Sequence, residues 1–302
     1  VKSLNVEIRP PSPFRLPAYS SEDRVMSVRD GVLSRLLRVE QSPVLVRAWE
    51  PARGRFQLRA EPVDPDALTA PRSIPAAPSR PAGPAQLRVA VERMRFALGV
   101  DDDLGEVYRR FRRDPLLGPL LRRRPWLRPR RRPWAWEALA WAVVKQLIES
   151  ERAATIQRRI VGRWGSRLDR AQGALRDVPG AETIAGRAPA ELASMDLSPA
   201  RSIALRAVAR EIAAGRVSPG YPTADARLLA IPEIGPWTVQ CLGLFGRGDP
   251  DSLPAGDLVY LKLVGRLARL GRRATVEEVE EFYAPYEPFR GLAGLWTIGL
   301  YR

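Results

Sequence analysis

Three short runs near the start of the chain alternate apolar and polar residues with a period of two, the spacing of a half-buried strand. They are Val32–Val39, Val44–Trp49 and Arg55–Ala60, and the turn-forming stretch Glu40-Gln41-Ser42-Pro43 separates the first two. Joined by short turns, they predict an antiparallel sheet with one face in water. Residues 73–85 include Pro75, Pro78, Pro81 and Pro84 and read as a linker. From residue 86 onward the period is helical. Helices are predicted over 87–98, 103–112, 136–150, 153–164, 199–214, 224–230, 236–246, 257–270, 275–284 and 288–301, with Ser198 as the N-cap of the strongly amphipathic 199–214 segment. The expected fold class is α+β. An N-terminal antiparallel β-rich domain (1–72) is followed by the linker and an all-helical bundle (86–302).

Charge narrows the choice of partner. The formal net charge is +15, which points to a polyanion, with nucleic acid as the leading class. Arginine far outnumbers lysine, and compositional drift explains that preference but not the excess of base over acid. No apolar run approaches the ~18 residues of a membrane span, and no secretory pattern opens the chain. The expectation is a cytoplasmic, nucleoid-associated protein. There is no histidine, which excludes a His general base, a Ser-His-Asp triad and a His-liganded metal. The single cysteine, Cys241, excludes intrachain disulfides and four-cysteine metal centres; it lies in an apolar helical stretch and reads as a small buried hydrophobe.

One charge run stands out. Arg122, Arg123, Arg124, Arg128, Arg130, Arg131 and Arg132 occur with no acid between Asp114 and Glu137, interleaved with Trp126, Trp134 and Trp136. A phosphate-contacting loop and a linker anchored by its tryptophans are equal readings of this pattern.

The chemistry concentrates further on. In Leu229-Ala230-Ile231-Pro232-Glu233-Ile234-Gly235-Pro236-Trp237-Thr238, Ile231 and Ile234 can plug the gap between two antiparallel helices. Gly235 allows a positive φ or the close approach of a ligand, and Pro236 suits the first position of the next helix. The N-terminus of that helix offers free N–H groups to a phosphate, although an ordinary helical hairpin would read the same way. Downstream, Leu253-Pro254-Ala255-Gly256-Asp257-Leu258 forms a loop with one carboxylate, either a helix cap or an acid held beside the turn.

The hairpin (224–246) and the loop after it (247–257) resemble the helix–hairpin–helix superfamily of DNA glycosylases, named HhH-GPD for that motif and its Gly/Pro…Asp loop. The branch most like it is the 3-methyladenine DNA glycosylase II type. The segment from Pro133 to Ile148, which includes Lys145-Gln146-Leu147, is also similar, as are Leu197-Ser198 and the stretch from Pro288 to Ala293. The resemblance implies a monofunctional enzyme that flips alkylated purines out of duplex DNA and hydrolyses the N-glycosidic bond. It implies that Asp257 is the catalytic acid and that Trp237, Cys241 and Trp296 wall the base pocket. Gln146, Leu147, Ile234, Gly235 and Thr238 would contact DNA, with Leu147 wedging into the duplex. Core packing is the competing reading for Trp237 and Leu147. Bifunctional relatives carry a lysine near position 237, so tryptophan there implies that no strand is cut. No cofactor is implied beyond an optional monovalent cation on the backbone carbonyls of Ile231 and Ile234. The implied partner is damaged double-stranded DNA and the implied state a monomer. A catalytically inactive helix–hairpin–helix DNA-binding protein is the alternative. Two positions depart from the pattern. Glu233 stands where the family turn usually has glycine, which should restrict the turn and repel phosphate. Cys241 stands where some members carry an aromatic.

Overall fold

Five strands, β1 (Leu4–Ile8), β2 (Met26–Arg29), β3 (Val32–Val39), β4 (Ser42–Ala52) and β5 (Arg55–Pro62), pair antiparallel in the order β1-β5-β4-β3-β2 in the computed structural model, which describes residues 3–69, 80–171 and 173–300. The three predicted strands lie at the centre of this sheet. β1, whose Leu4-Asn5-Val6-Glu7-Ile8 does alternate, and the four-residue β2 flank them; neither was among the predicted strands. The predicted Ser42 and Pro43 of the turn already belong to β4, where Pro43 pairs with Arg38. A small second sheet joins β6 (Leu68–Thr69) to two short strands from far along the chain, described below.

The first helix, α1 (Pro84–Leu98), begins inside the predicted linker, most of which lies outside the described residues. Its apolar stripe of Leu87, Ala90, Val91, Met94 and Leu98 recurs at helical spacing and packs on Leu37, Val44, Val46 and Phe56 of the sheet. The boundary expected at 85/86 therefore separates a helix from the sheet whose core it completes. The expected wet face of the sheet is also partly covered.

The remaining helices are α2 (Gly105–Phe111), α3 (Gly118–Arg123), α4 (Ala135–Lys145) and α5 (Ser150–Trp164), then, after β7 (Arg167–Leu168) and β8 (Leu175–Arg176), α6 (Ala181–Ala185), α7 (Pro189–Ala193), α8 (Pro199–Ala213), α9 (Asp225–Leu229), α10 (Pro236–Leu242), α11 (Leu258–Leu267), α12 (Val276–Tyr283) and α13 (Arg290–Leu300). Leu168 and Leu175 of β7 and β8 pack with Leu36, Leu45 and Val63. The predicted cap is present: the Ser198 hydroxyl accepts the Arg201 N–H. α3, α6 and α7 span only five or six residues, too few for a period to show.

The helices form two cores. One gathers α4, α5, α8 and α10 through residues such as Val143, Ile156, Leu205, Ile234 and Leu242. The other gathers α2, α3 and α11–α13 through Phe111, Tyr260, Val264, Tyr283 and Trp296. A buried polar network ties the sheet to the first core. Arg35 of β3 donates to Glu137 Oε1 of α4 at 2.7 Å and to Asp177 Oδ1 at 3.1 Å. Asp23 accepts from Arg132 Nη1 at 2.5 Å and from the Trp141 indole at 2.9 Å. No helix among the described residues is long and apolar enough to cross a membrane.

Candidate active site

α4 stops at Lys145, short of the predicted end at 150. The next two residues explain why. Gln146 leaves the helical region at φ −53°, ψ 127°, and Leu147 takes a left-handed φ of 54°. A left-handed leucine costs about 1–3 kcal/mol and persists only where its surroundings hold it. Here the hold is visible. The Gln146 side-chain amide donates to the Glu233 carbonyl at 2.7 Å and to the Thr238 hydroxyl at 3.0 Å. Leu147 makes no use of the core, as its relative exposure is 103%. The core-packing reading of Leu147 is excluded by its position.

The same two bonds reach the hairpin. α9 ends at Leu229, the chain turns, and α10 starts at Pro236 with Gly235 as its N-cap. Within the turn, Ile231 N–H bonds to Leu228 O and Ile234 N–H to Ile231 O. Ile234 is buried as the plug and Ile231 is half-buried against the same core. Of the two readings of Gly235, a positive φ and the close approach of a ligand, the first does not hold, since its φ is −104°. Glu233 takes the left-handed position, at φ 69°. The turn thus keeps its shape, and the glutamate bears the strain that a glycine would not. At Gly235 a Cβ would meet no protein atom within 4 Å, so nothing inside the protein requires glycine there. Open space beside an N-terminal N–H leaves room for an external group to approach the backbone. Further along, a Cβ on Gly246 would lie 2.8 Å from the Ala138 Cβ, and this close approach seats the continuation of α10 on α4.

Asp257 is the N-cap of α11 and accepts the Val259 N–H on Oδ1 at 2.9 Å. This is the carboxylate's sole hydrogen bond among the described residues, which leaves its second oxygen without one. Capping and chemistry are therefore compatible. The loop lies against the hairpin helix: a Cβ on Gly256 would be 3.9 Å from the Trp237 Cβ. α10 belongs to the first helical core and α11 to the second, so the acid sits on the seam between them. Burial pushes the Cys241 thiol up beyond its ordinary range, and Asp257 adds to the rise. Burial likewise raises Tyr260, with Tyr283 and then Asp257 contributing. Cys241, Tyr260 and Asp257 are therefore electrostatic neighbours. The Trp237 indole N–H is buried with no hydrogen-bond partner among the described residues.

Trp296, expected as a pocket wall, is a core residue at 2% exposure, and its indole donates to Leu127 O at 3.1 Å. The apolar periodicity of α13 buries it. Five members of the arginine run are held by the protein itself. Arg128 donates to Gly99 O, Arg131 to Asp102, Arg132 to Asp23, Arg122 to Arg112 O and Arg124 to Gly299 O. The tryptophans are engaged too: Arg15 lies 3.5 Å over the Trp126 ring, Arg93 4.8 Å over Trp134, and Trp136 donates to Pro179 O. The anchored linker describes most of the run, a strap held onto the protein, and among the described residues Arg123 and Arg130 are its exposed members without a bond of this kind.

The chain is similar to a DNA-3-methyladenine glycosylase of Bacillus subtilis, at 27% identity over 207 residues spanning 66% of this chain and 68% of that protein. It is also similar to a probable bifunctional transcriptional activator/DNA repair enzyme AlkA of Mycobacterium tuberculosis, at 30% identity over 218 residues. That match spans 70% of this chain but only 43% of the mycobacterial protein. Among solved structures, a 3-methyladenine DNA glycosylase from Archaeoglobus fulgidus has the same fold, with a TM-score of 0.76 at 20% identity over 99% of this chain and 97% of that one. No protein-family model matches the chain. The likeness to the glycosylase superfamily and to its 3-methyladenine branch, read from the hairpin and Asp257, is borne out.

Proposed function

We propose, on the premise that this chain resembles the 3-methyladenine branch of the helix–hairpin–helix DNA glycosylases, that it is a monofunctional N-glycosylase removing alkylated purines from duplex DNA. One observation carries the reading of DNA engagement: Gln146 clasps the hairpin turn while its neighbour Leu147 stands wholly in solvent. An exposed apolar tip rigidly joined to a backbone-binding turn suits insertion into a duplex where a base has left the stack.

The chemistry follows from Asp257. As the bond from sugar to base lengthens, positive charge builds on the sugar. A fixed carboxylate beside that charge stabilises the transition state more than the ground state. The oxygen not used in capping is available to take a proton from the attacking water. Trp237 offers a ring face to the extruded base and carries no amine, so the strand is left uncut. The open backbone at Gly235 receives a phosphate, with the buried Ile234 and Thr238 holding the turn from behind. A monovalent cation would fit the turn: the Ile231 carbonyl accepts one N–H and keeps a second lone pair. Held by Ile231 and Ile234, it would brace the turn and take no part in the reaction. The protein acts on DNA as a monomer.

Base release from methylated duplex DNA tests this reading. The wild-type chain releases base. Asp257→Asn lowers the rate by about 10²–10³-fold, the loss typical of one electrostatic catalyst, and still binds an abasic duplex. If the wild type binds DNA but releases nothing, the catalytically inactive DNA-binding protein is the correct description.

A further inference from the structure

α4 ends where its own apolar period would carry it on. Leu147 and Ile148 continue that period, yet the chain leaves the helix at Gln146 and turns left-handed at Leu147. In a continuing helix the Val144 carbonyl would accept the Ile148 N–H, one turn further along. The early stop orphans that carbonyl, and a carbonyl at a helix end needs a donor from elsewhere. The donor is Arg201 of α8, whose Nη1 donates to Val144 O at 3.0 Å. Its positive charge also meets the partial negative charge of the α4 C-terminus.

The aim of this side chain is built into the start of α8. Ser198, the N-cap, accepts the Arg201 backbone N–H at 3.4 Å and the Arg201 Nε at 3.1 Å, so one hydroxyl fixes both its backbone and its fork. Asp196, the acid nearest in sequence, does not draw the guanidinium away. Its carboxylate takes Arg152 through two bonds, at 2.8 and 3.1 Å. α10 and α8 both pack on α4. The loop that carries Leu147 is therefore gripped from two elements: Gln146 reaches forward to the hairpin, and Arg201 reaches in from α8.

We infer that Arg201 is a positioning residue for base extrusion: it stands in for the helical N–H that Val144 lacks, keeps α4 ended at Lys145, and so holds Leu147 at the exposed tip before DNA arrives. Without it, the Val144 carbonyl regains a partner most directly by extending the helix through Ile148, which carries Leu147 off the tip. The inference rests on the glycosylase reading, with Leu147 as its wedge, and names the group that keeps the wedge out. Arg201 touches neither base nor sugar in this role.

Single-turnover base release from methylated duplex DNA is measured for the wild type, Arg201→Met and Arg201→Lys, each with and without Leu147→Ala. Methionine keeps the apolar stem and removes the donors, and lysine keeps one donor. Arg201→Met should release base about tenfold more slowly, the worth of one charge-assisted hydrogen bond, and Arg201→Lys should recover most of the rate. In the Leu147→Ala background the same change to methionine should cost less than about twofold, because a residue that acts through the wedge has nothing left to act on. Wedge insertion is followed separately, without chemistry, by the fluorescence of 2-aminopurine opposite a tetrahydrofuran abasic site at saturating protein. Arg201→Met should diminish the change that the wild type produces. Thermal unfolding is recorded for every variant, and Arg201→Gln replaces the methionine variant should that one fail to fold. Equal losses in both backgrounds mean a general structural role and overturn the inference. A salt dependence of abasic-duplex affinity shallower by about one in Arg201→Met means a direct phosphate contact and overturns it as well. A wild type that releases no base removes the glycosylase reading, and the 2-aminopurine signal then decides the inference alone: it fails if the wild type gives no change or if Arg201→Met leaves that change intact.

Discussion

Leu147 and Glu233 are both non-glycine residues in the left-handed region, and both touch the Gln146 clasp, one by sequence and one through its carbonyl. Their strain differs in consequence. Leu147 buries nothing, so Leu147→Ala should change unfolding free energy by less than about 0.5 kcal/mol. The same variant should lower base release from duplex DNA by about tenfold or more, because the gap left by the extruded base goes unfilled. Parallel urea melts and single-turnover assays check this. Glu233 has no such use, and its charge opposes a phosphate. Glu233→Gly should stabilise the fold by up to about 1 kcal/mol through relief at φ 69°. It should also tighten binding to an abasic duplex, and a weaker complex would mean that the glutamate side chain makes a favourable contact with DNA. The glutamate was legible in the sequence as a departure from pattern. That it would adopt the glycine conformation itself, leaving Gly235 in an ordinary one, was not, because φ is settled by the whole turn and not by one residue type.

The helices show where periodicity suffices and where it fails. α5, α8, α10 and α11 fall close to their predicted spans, since each presents a continuous apolar stripe to one core. α4 was overextended by five residues because Leu147 and Ile148 continue its apolar period. The break comes from the hydrogen bonds of Gln146 to another element, which no local pattern encodes. The capping role of Asp257 was legible, since it needs only a position in the loop before a helix. Trp296 was misplaced for the opposite reason: a tryptophan on a two-sided apolar helix can face either way, and here it faces inward.

Sheet and helices are joined by the buried charges around Arg35. Removing that arginine alone would leave Glu137 and Asp177 uncompensated, so Arg35→Met should destabilise by about 3–5 kcal/mol in urea unfolding. The network also gives the fold an uncommon pH response. Burial, outweighing the attraction of Arg35, pushes the Glu137 carboxyl up to about 7. An acid with a raised pKa in the folded state holds its proton there longer than in the unfolded chain. Its contribution is therefore greatest below the ordinary carboxylate range and falls as pH rises toward 7. Wild-type stability should decline between about pH 5 and 7.5, and Glu137→Gln should flatten that slope. Asp23 acts in reverse. Its burial is overcome by Arg132 and Arg35, which bring it down to about 2, so its contribution is lost only as pH falls toward that value. None of this was visible in the order of residues, because Asp23, Arg35, Glu137 and Asp177 meet only once the chain has closed on itself.

The arginine strap bears on how this molecule holds a nucleic acid. A formal charge of +15 suggests a wide electrostatic footprint, but the guanidinium groups of Arg128, Arg131 and Arg132 are anchored to their own backbone and carboxylates. The charges of Arg131 and Arg132 are already met by Asp102 and Asp23, and the Arg128 fork is turned onto backbone carbonyls, so little of the ion atmosphere condensed around DNA would be displaced on their account. The logarithm of the affinity plotted against that of salt concentration should then fall with a slope of only a few, set by the hairpin and a handful of rim arginines.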